Sequence, residues 1–357
     1  MADKIVLSAG GNVYEGWTKI RITRSLEAMA GSFDLELTHK WDGSDSKYKA
    51  FMKPIQQGAP CVVKIGNDKV ITGYVDDWVP SYDDSKVMIS VSGRDKTSDL
   101  IDCSIIYPSG QFKNQTFTQI AKTVCQPFGI NVVVETDVGA AFTLVQIEQG
   151  ETPHELLTRL ATQRGVLLTT NGEGDLVITR ASTKRAGVSL ILGENIKAAR
   201  GRFSWRERYS QFKVKGSSDK WDEKPEVSGG IEVTVRDSDI SRYRPLIIMS
   251  DEITTADGAS KRGQWERQRS IGRSNTAEYT VIGWRIPQTG KVWNVNQIVP
   301  VQDDIIGLNE DMLINTIMFS EEEDSGRIAV IGVVRPDALK IPPQEKLEAK
   351  DYWKGKS

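Results

Sequence analysis

The chain contains almost no histidine: 357 residues include only His39 and His154. Nucleophilic centres of the Ser-His-Asp and Cys-His kinds need a histidine placed as a base. His154-Glu155 begins like a zinc-protease motif, but Thr158 stands where the second histidine ligand would be. His39 ends an alternating apolar segment, so we interpret it as a strand-end residue. Since there is no G-x-S-x-G segment either, histidine-based catalysis is not expected.

Cysteine is scarce as well, because the chain has only Cys61, Cys103 and Cys125. Their number is odd and their spacing wide, which is typical neither of a disulfide framework nor of a metal knuckle. Each lies in or beside an apolar run, so all three are predicted to be buried, inert thiols. This usage fits a protein made in a reducing cytoplasm.

A membrane span, a secretion signal and an excess of positive charge are missing too. No run of about 18 apolar residues occurs, so no membrane insertion is expected. The start, MADKIVLSAGG, lacks the basic region and apolar core of a signal peptide. The net charge is −2, from 46 basic and 48 acidic residues, which gives no indication of tight DNA binding.

Candidate catalytic and ligand-binding motifs are weak. Gly172-Glu173-Gly174 lacks the third glycine and the helix of a dinucleotide loop, and no Walker A segment occurs. The spacing of Asp95, Asp99 and Asp102 favours capping of a helix start over paired catalytic carboxylates. The segment 321–324 lacks the alternating oxygen ligands of a calcium loop and is interpreted as a solvated turn. We therefore predict no catalytic, cofactor-binding or metal-binding residue, and no cofactor.

Basic and aromatic residues give weaker indications, and these point to assembly. A series of basic residues lies within a predicted helix, at positions 261–273, and Glu266 interrupts the series. This pattern favours a solvated or intersubunit face over a phosphate site. Several tryptophans stand in polar contexts, a composition that is common at interfaces. They are Trp41, Trp205, Trp221 and Trp353.

The clearest local structure spans residues 146–180. Thr152 and Glu155 make a capping box at the start of a helix, and Gly165 provides its left-handed end. Two β-branched runs then flank the turn Asn171–Gly174, which predicts a hairpin. We interpret the helix and hairpin as a compact docking unit without reactive groups.

Periodicity divides the rest of the chain into β-rich and mixed parts. Residues 1–93 show about six alternating strands, which suggests a small barrel or sandwich. Residues 105–180 have an α/β pattern, with a second capping box at Thr116. From about residue 181 strands return, together with one helix from Thr255 to about Arg273. These later strands are predicted at Val188–Leu192, Ser210–Lys215, Ile231–Val235, Pro245–Met249, Glu278–Trp284, Gln297–Val301, Met312–Ser320 and Arg327–Val334.

A family resemblance extends over most of the chain. The segments that carry it are Gly16-Trp17, Ser92–Cys103 (SGRDKTSDLIDC), Pro127–Ile130, Gln149–Leu157, Arg164–Leu168, Gly172–Leu176, Glu207–Gln211 and Val299–Asp304. In these segments the chain resembles the baseplate hub proteins of contractile-tailed phages of the Mu type, which are related to the N-terminal part of VgrG spikes. The segments are structural signatures rather than catalytic motifs.

The resemblance implies a β-rich α+β fold with two related β-barrel domains and a small α/β domain inserted between them. The implied domains are 1–104 as the first barrel, completed by part of 181–206; 105–180 as the insert; 207–335 as the second barrel; and 336–357 as an extended C-terminal arm. Neither an OB-fold or β-helical spike nor a lysozyme-like domain is visible, so we expect the membrane-piercing tip and cell-wall cleavage to belong to other polypeptides.

The resemblance also implies a role. Three copies would form a ring in the virion's tail baseplate, joining the six-fold tail tube to the three-fold central spike and leaving a channel. The implied partners are further copies of the chain, the central spike protein, the tail tube or tube-initiator protein, the tape measure protein and wedge proteins, with DNA only in passage. Two alternatives stay open: the same hub in a phage-derived secretion or bacteriocin injection machine, and a tail-associated hydrolase.

Overall fold

The computed structural model describes residues 3–40, 55–216, 230–249, 256–322 and 326–339. The described chain forms two compact units, residues 1–202 with 275–336 and residues 203–274 with 337–357. The expected C-terminal arm, residues 336–357, lies mostly outside the described residues. The start of that arm, Pro336–Leu339, is a 3-10 turn with buried Ala338 and Leu339.

Strands dominate both units, as the predicted β-rich class requires. The strands are β1 (Ile5–Ala9), β2 (Asn12–Tyr14), β3 (Lys19–Ser25), β4 (Ser32–Lys40), β5 (Pro60–Ile65), β6 (Asp68–Tyr82), β7 (Lys86–Asp95), β8 (Gln111–Gln115), β9 (Val132–Val134), β10 (Phe142–Gln146), β11 (Leu167–Thr170), β12 (Leu176–Thr179), β13 (Leu190–Ile191), β14 (Ile196–Phe203), β15 (Gln211–Gly216), β16 (Ile231–Arg236), β17 (Pro245–Met249), β18 (Asn275–Ile282), β19 (Ile298–Gln302), β20 (Asp311–Glu322) and β21 (Gly326–Val334). The α-helices are α1 (Asp99–Asp102), α2 (Phe117–Cys125), α3 (Pro153–Arg164) and α4 (Ala256–Ser274).

One large sheet organises the first unit. Its strands follow the order β14-β18-β21-β20-β3-β4-β7-β6-β5-β1-β2, with β19 beside β20 and β13 beside β19. Alternation fixes its buried face: every second residue of β7, from Val87 to Asp95, is buried. Ile22, Phe33 and Leu35 are fully buried on the neighbouring strands. One face therefore packs into the core while the other stays polar.

The sheet does not close on itself among the described strands, because its path ends at β14 and β2. Its two halves are joined where β20 runs antiparallel to β3, with Thr316 opposite Ser25 and Glu321 opposite Ile20. Residues 275–334 thus extend the sheet that the first ninety residues begin. This pairing joins residues about 290 to 300 positions apart, which local periodicity cannot indicate.

A second core forms between residues 100 and 180. Helices α2 and α3 pack with a two-stranded sheet, β8-β10, and a three-stranded sheet in the order β11-β12-β9. Both predicted capping boxes are present, since Thr116 accepts from the Gln119 N–H and Thr152 from the Glu155 N–H. Gly165 ends α3 in the left-handed conformation, with φ 59°. The local predictions for this region are confirmed.

The β11-β12 hairpin packs directly on the large sheet through its turn. The Thr72 hydroxyl donates to the Gly172 carbonyl at 2.7 Å, and Lys69 pairs with Glu173 at 2.6 Å. A Cβ at Gly172 would lie 2.2 Å from the Lys69 carbonyl oxygen, so only glycine fits this close approach. The hairpin is the docking unit that the sequence predicts.

The second unit is a three-stranded sheet covered by α4. Strand β15 lies between antiparallel β16 and parallel β17. Phe212 and Val214 of β15 are buried, and Val214 and Val235 lie against Gly263 of α4. A buried ion pair joins Arg208 to Asp237 at 2.6 Å.

Candidate assembly surface

The polar face of the large sheet presents charges of both signs in register. On β3 and β4, Arg21 lies opposite Asp34, and Lys19 lies opposite Glu36. Lys19 also pairs with Glu322 of β20 at 3.5 Å. Opposite charges that face each other across strands stabilise pairing and cancel much of each other's field. The surface is therefore polar but close to neutral in this region.

Among the described strands, the large sheet has two long exposed edges besides the short β2. The first is β14, whose one neighbour among these strands is β18. The second is the segment 76–82, named outer β6 from here on. Strand β5 pairs with β6 only as far as Tyr74, where the β6–β7 register shifts between Val75 and Asp77. On that side no described strand covers outer β6.

Strand β14 is absent from the sequence-based predictions. Its sequence, IKAARGRF, has no apolar alternation, and most of its residues are exposed. Such a segment meets none of the usual criteria for a half-buried strand. A series of basic and small residues was the only available signal, and it is one that edge strands share with loops.

Asp95 is the buried charge at the centre of the first unit. Its carboxylate accepts hydrogen bonds from the Gly31 N–H at 2.7 Å and the Thr72 N–H at 3.4 Å. Burial raises the pKa of Asp95 to about 7, although the positive charge of Arg24 opposes this rise. The predicted capping role of Asp95 is wrong: it stands at the N-cap of the 3-10 turn Lys96–Ser98 but makes no side-chain cap bond there. Its short side chain points to buried N–H groups instead.

Arg24 connects this centre to the docking hairpin. Its guanidinium donates to the Thr170 carbonyl at 2.7 Å and to the Asn294 side chain at 3.0 Å. The Thr169 hydroxyl adds a bond to the Ser25 carbonyl at 3.1 Å. These bonds hold β11 against β3.

The other acidic candidates are not brought together as a catalytic pair. Asp102 forms an ion pair with Arg94 at 2.8 Å, and Arg94 also binds Asp76 at 2.7 Å. Asp99 begins the one-turn helix α1 and caps nothing with its side chain. The arrangement ties the end of β7 to α1. Part of the segment 321–324 lies outside the described residues.

The cysteines divide into two kinds. Cys61 and Cys125 are buried, and burial raises the pKa of each thiol to about 12. Cys103 is exposed, so its predicted burial is wrong. The reason is local: Cys103 is the extended residue that follows α1, where the chain leaves the packed turn.

The two histidines occupy the predicted elements, His39 on β4 and His154 in the first turn of α3. Within the described ranges, no group of three or more His, Cys, Asp or Glu side chains could hold a metal ion. The described helices include none that is long and apolar enough to cross a membrane.

The basic helix and the tryptophans can be placed in part. In α4, Arg262 pairs with Glu266 at 2.8 Å and lies over the Trp265 ring, as does Arg269. Part of its charge is therefore used within the helix itself. Trp205 is 56% exposed. The other three tryptophans of polar context lie outside the part of the chain that the structure describes.

Comparison with known proteins places this fold among phage tail proteins. The chain is similar to the 43 kDa tail protein of prophage MuSo2 from Shewanella oneidensis, with 68% identity, a TM-score of 0.87, and 95% of this chain and 100% of that chain covered. The tail protein from Neisseria meningitidis MC58 shares the fold at 21% identity, with a TM-score of 0.80 and coverage of 95% and 99%. The class is therefore a structural tail protein.

Family models narrow this class. Residues 4–95 match the N-terminal domain of the Mu phage baseplate assembly protein GpP-like family, and residues 254–342 match the fourth domain of GpP. Residues 97–180 match the second domain of baseplate hub protein gp44-like proteins. Over 353 residues the chain is 33% identical to the baseplate hub protein gp44 of Escherichia phage Mu, covering 96% of this chain and 90% of that one. The chain belongs to the Mu-type baseplate hub protein family.

Proposed function

We propose that the protein is the trimeric hub at the centre of a contractile-tail baseplate in the virion. In this role it joins the six-fold tail tube to the three-fold central spike and leaves a channel for the tape measure and DNA. The observation that carries the proposal is the 33% identity to the Mu baseplate hub protein across 96% of the chain. The proposed partners are the spike, tube or tube-initiator, tape measure and wedge proteins.

The proposal includes the finer domain plan. Two related barrels, 1–104 with part of 181–206 and 207–335, would flank the insert at 105–180. The family-model boundaries near residues 95–97 and 180 support the limits of the insert. The single-chain sheet, open at β14, is compatible with barrels that are completed only when copies assemble.

The mechanism is mechanical rather than chemical. If the polar sheet face lines the bore of such a ring, the pairs Arg21 with Asp34 and Lys19 with Glu36 offer DNA no continuous positive strip there. A strongly basic bore would hold the phosphate backbone through counterion release. A balanced face lets a polyanion pass without retaining it.

Light scattering of the purified full chain, with dilution and at two salt concentrations, tests the proposal. The expected result is a trimer of about three times 39.7 kDa, alone or with the spike or tube protein, that forms rings in electron micrographs. A chain that stays monomeric and binds no tail protein would overturn the proposal.

The same fold could serve a phage-derived injection machine. The physical task is identical there, so neighbouring genes decide: capsid and terminase genes indicate a phage, and their absence indicates such a machine. The hydrolase alternative has less support, since the buried carboxylate of Asp95 cannot reach a polymer substrate. Peptidoglycan turnover that is lost on replacing Asp99 would revive it.

A further inference from the structure

The two long exposed edges of the large sheet match in length. Strand β14 has eight residues, and outer β6 has seven, from Asp76 to Tyr82. At about 3.3 Å per residue these edges are roughly 26 and 23 Å long. Each presents backbone N–H and C=O groups on a side where no described strand is hydrogen-bonded. Long unpaired edges of this kind readily pair with another chain.

The edges carry charges of opposite sign. Strand β14 contains Lys197, Arg200 and Arg202 and no acidic residue. Outer β6 and the turn after it contain Asp76, Asp77, Asp83 and Asp84, and no basic residue before Lys86. Arg94 neutralises Asp76 at 2.7 Å, and Lys86 lies beside Asp83 in the turn, so Asp77 and Asp84 carry the remaining acidic charge along this edge.

Exposed apolar groups accompany the charges on both edges. Val79 and Tyr82 of outer β6 are 53% and 76% exposed, and Phe203 of β14 is 56% exposed. Ala198 and Ala199 give β14 a flat surface of small side chains. Contact between the two edges would remove apolar surface from water on each side.

The charges also discriminate among possible pairings. Two β14 edges would bring arginines together, and two outer β6 edges would bring aspartates together, so each edge repels its own kind. Pro80 adds to this, because it lacks an N–H and reduces unselective strand addition at outer β6. Only the unlike pairing is favourable.

We propose that β14 of one copy packs edge to edge on outer β6 of the next copy, so that the occupant of each edge is a second copy of this chain. The contact is heterologous, and three such contacts close a ring when each copy is rotated by a third of a turn. Arg200 and Arg202 face the acidic edge in this interface. The inference rests on the proposed function and names the surfaces through which the hub assembles.

Charge reversal tests the pairing on the full chain. Arg200→Glu with Arg202→Glu, or Asp77→Lys with Asp84→Lys, should each weaken self-association at least about tenfold in sedimentation or light scattering. All four changes in one chain should restore it, because the edges are again opposite in sign. Lys113→Glu with Lys122→Glu, exposed residues away from both edges, is the matched control and should change nothing. Circular dichroism confirms that each variant is folded.

Mixing the two charge-reversal variants gives a second test. The arginine-reversed variant has two acidic edges and the aspartate-reversed variant has two basic edges, so one copy of each can pair. A ring of three copies drawn from these two variants always places two like copies side by side and therefore contains a repulsive contact. The mixture should therefore give dimers and no closed trimer. Two results would contradict the heterologous pairing. In the first, adding wild-type chain to a variant with one reversed edge restores association as closed even-numbered rings. In the second, no charge reversal weakens association.

Cross-linking gives an independent readout. On a Cys103→Ser background, Val79→Cys and Ala199→Cys place one thiol at the middle of each edge, so the two meet in either strand direction. A bismaleimide should link copies of the double variant, and also copies in a mixture of the two single variants, but should link neither single variant by itself. Linkage of copies that carry Ala199→Cys alone would show that two β14 edges pair with each other. A link between the two cysteines of one chain would show that the two edges meet within that chain. Either outcome overturns the proposal.

Failure of the inference and failure of the proposed function are separable. If the purified chain does not associate, the double-cysteine variant is cross-linked in tails assembled in cells that express the whole tail gene cluster. Baseplates that contain the variant but show no links overturn the edge pairing and leave the hub intact. Baseplates that lack the protein overturn the proposed function.

Discussion

Replacing Asp95 with asparagine should remove most of the pH dependence of folding stability between pH 5 and pH 8. Burial raises the pKa of Asp95 from 3.8 to about 7, so the folded chain holds this proton more tightly than the unfolded chain does. Stability from such a group is fully present below the unfolded pKa and is lost as the pH rises through the folded pKa. In wild type, the free energy of unfolding should therefore fall over this range.

The magnitude follows from the same linkage. Between pH 5 and the folded pKa of about 7 lie two pH units, and each corresponds to about 1.4 kcal/mol, so the expected fall is about 3 kcal/mol. Asparagine can still accept the Gly31 N–H but does not titrate. Since asparagine is neutral at every pH, Arg24 has no negative neighbour in the variant, and this site contributes nothing to its stability that changes with pH. The prediction thus concerns the slope and not the level.

Urea unfolding followed by tryptophan fluorescence at pH 5 and pH 8 measures this slope. Asp102→Asn is the matched control: Arg94 lowers the pKa of Asp102, so that carboxylate stays ionised across this range and the wild-type slope should remain. An Asp95→Asn protein that loses as much stability as wild type between the two pH values would refute the reasoning.

Two further predictions concern packing and thiol chemistry. Gly172→Ala should destabilise the fold by on the order of 2–3 kcal/mol in urea unfolding, since its Cβ would meet the Lys69 carbonyl oxygen at 2.2 Å. Gly230→Ala, whose nearest neighbour would be 3.7 Å away, is the control and should be nearly neutral; equal losses would contradict the close approach. A maleimide should label Cys103 alone in the native chain at pH 8 and all three cysteines in denaturant. Rapid native labelling of buried Cys125 would contradict the assigned burial.

The features that the sequence predicts well are those determined within a few residues. The capping box at Thr152, the left-handed end at Gly165 and the hairpin around Asn171–Gly174 each depend on contacts inside one short segment. The helix α4 and the strands β17 and β21 were likewise found within one or two residues of their bounds. Local chemistry fixes such elements before the rest of the chain takes part.

The features that were not predicted depend on distant partners. The pairing of β20 with β3 and the burial of Asp95 between Gly31 and Thr72 require segments that are far apart in the chain. No local pattern contains this information.

Strand β14 escaped prediction for a different reason, and that reason bears on function. Period-two alternation identifies strands with one buried face, but an edge that meets a partner must stay soluble until it does so. Basic and small residues achieve this, and they erase the alternation at the same time. The composition that prevents β14 from being predicted as a half-buried strand is therefore the composition expected of an edge strand that pairs with another copy. In a β-rich chain, a short basic segment without helix or turn signals, such as Ile196–Phe203, is better treated as a candidate interface strand than as a loop.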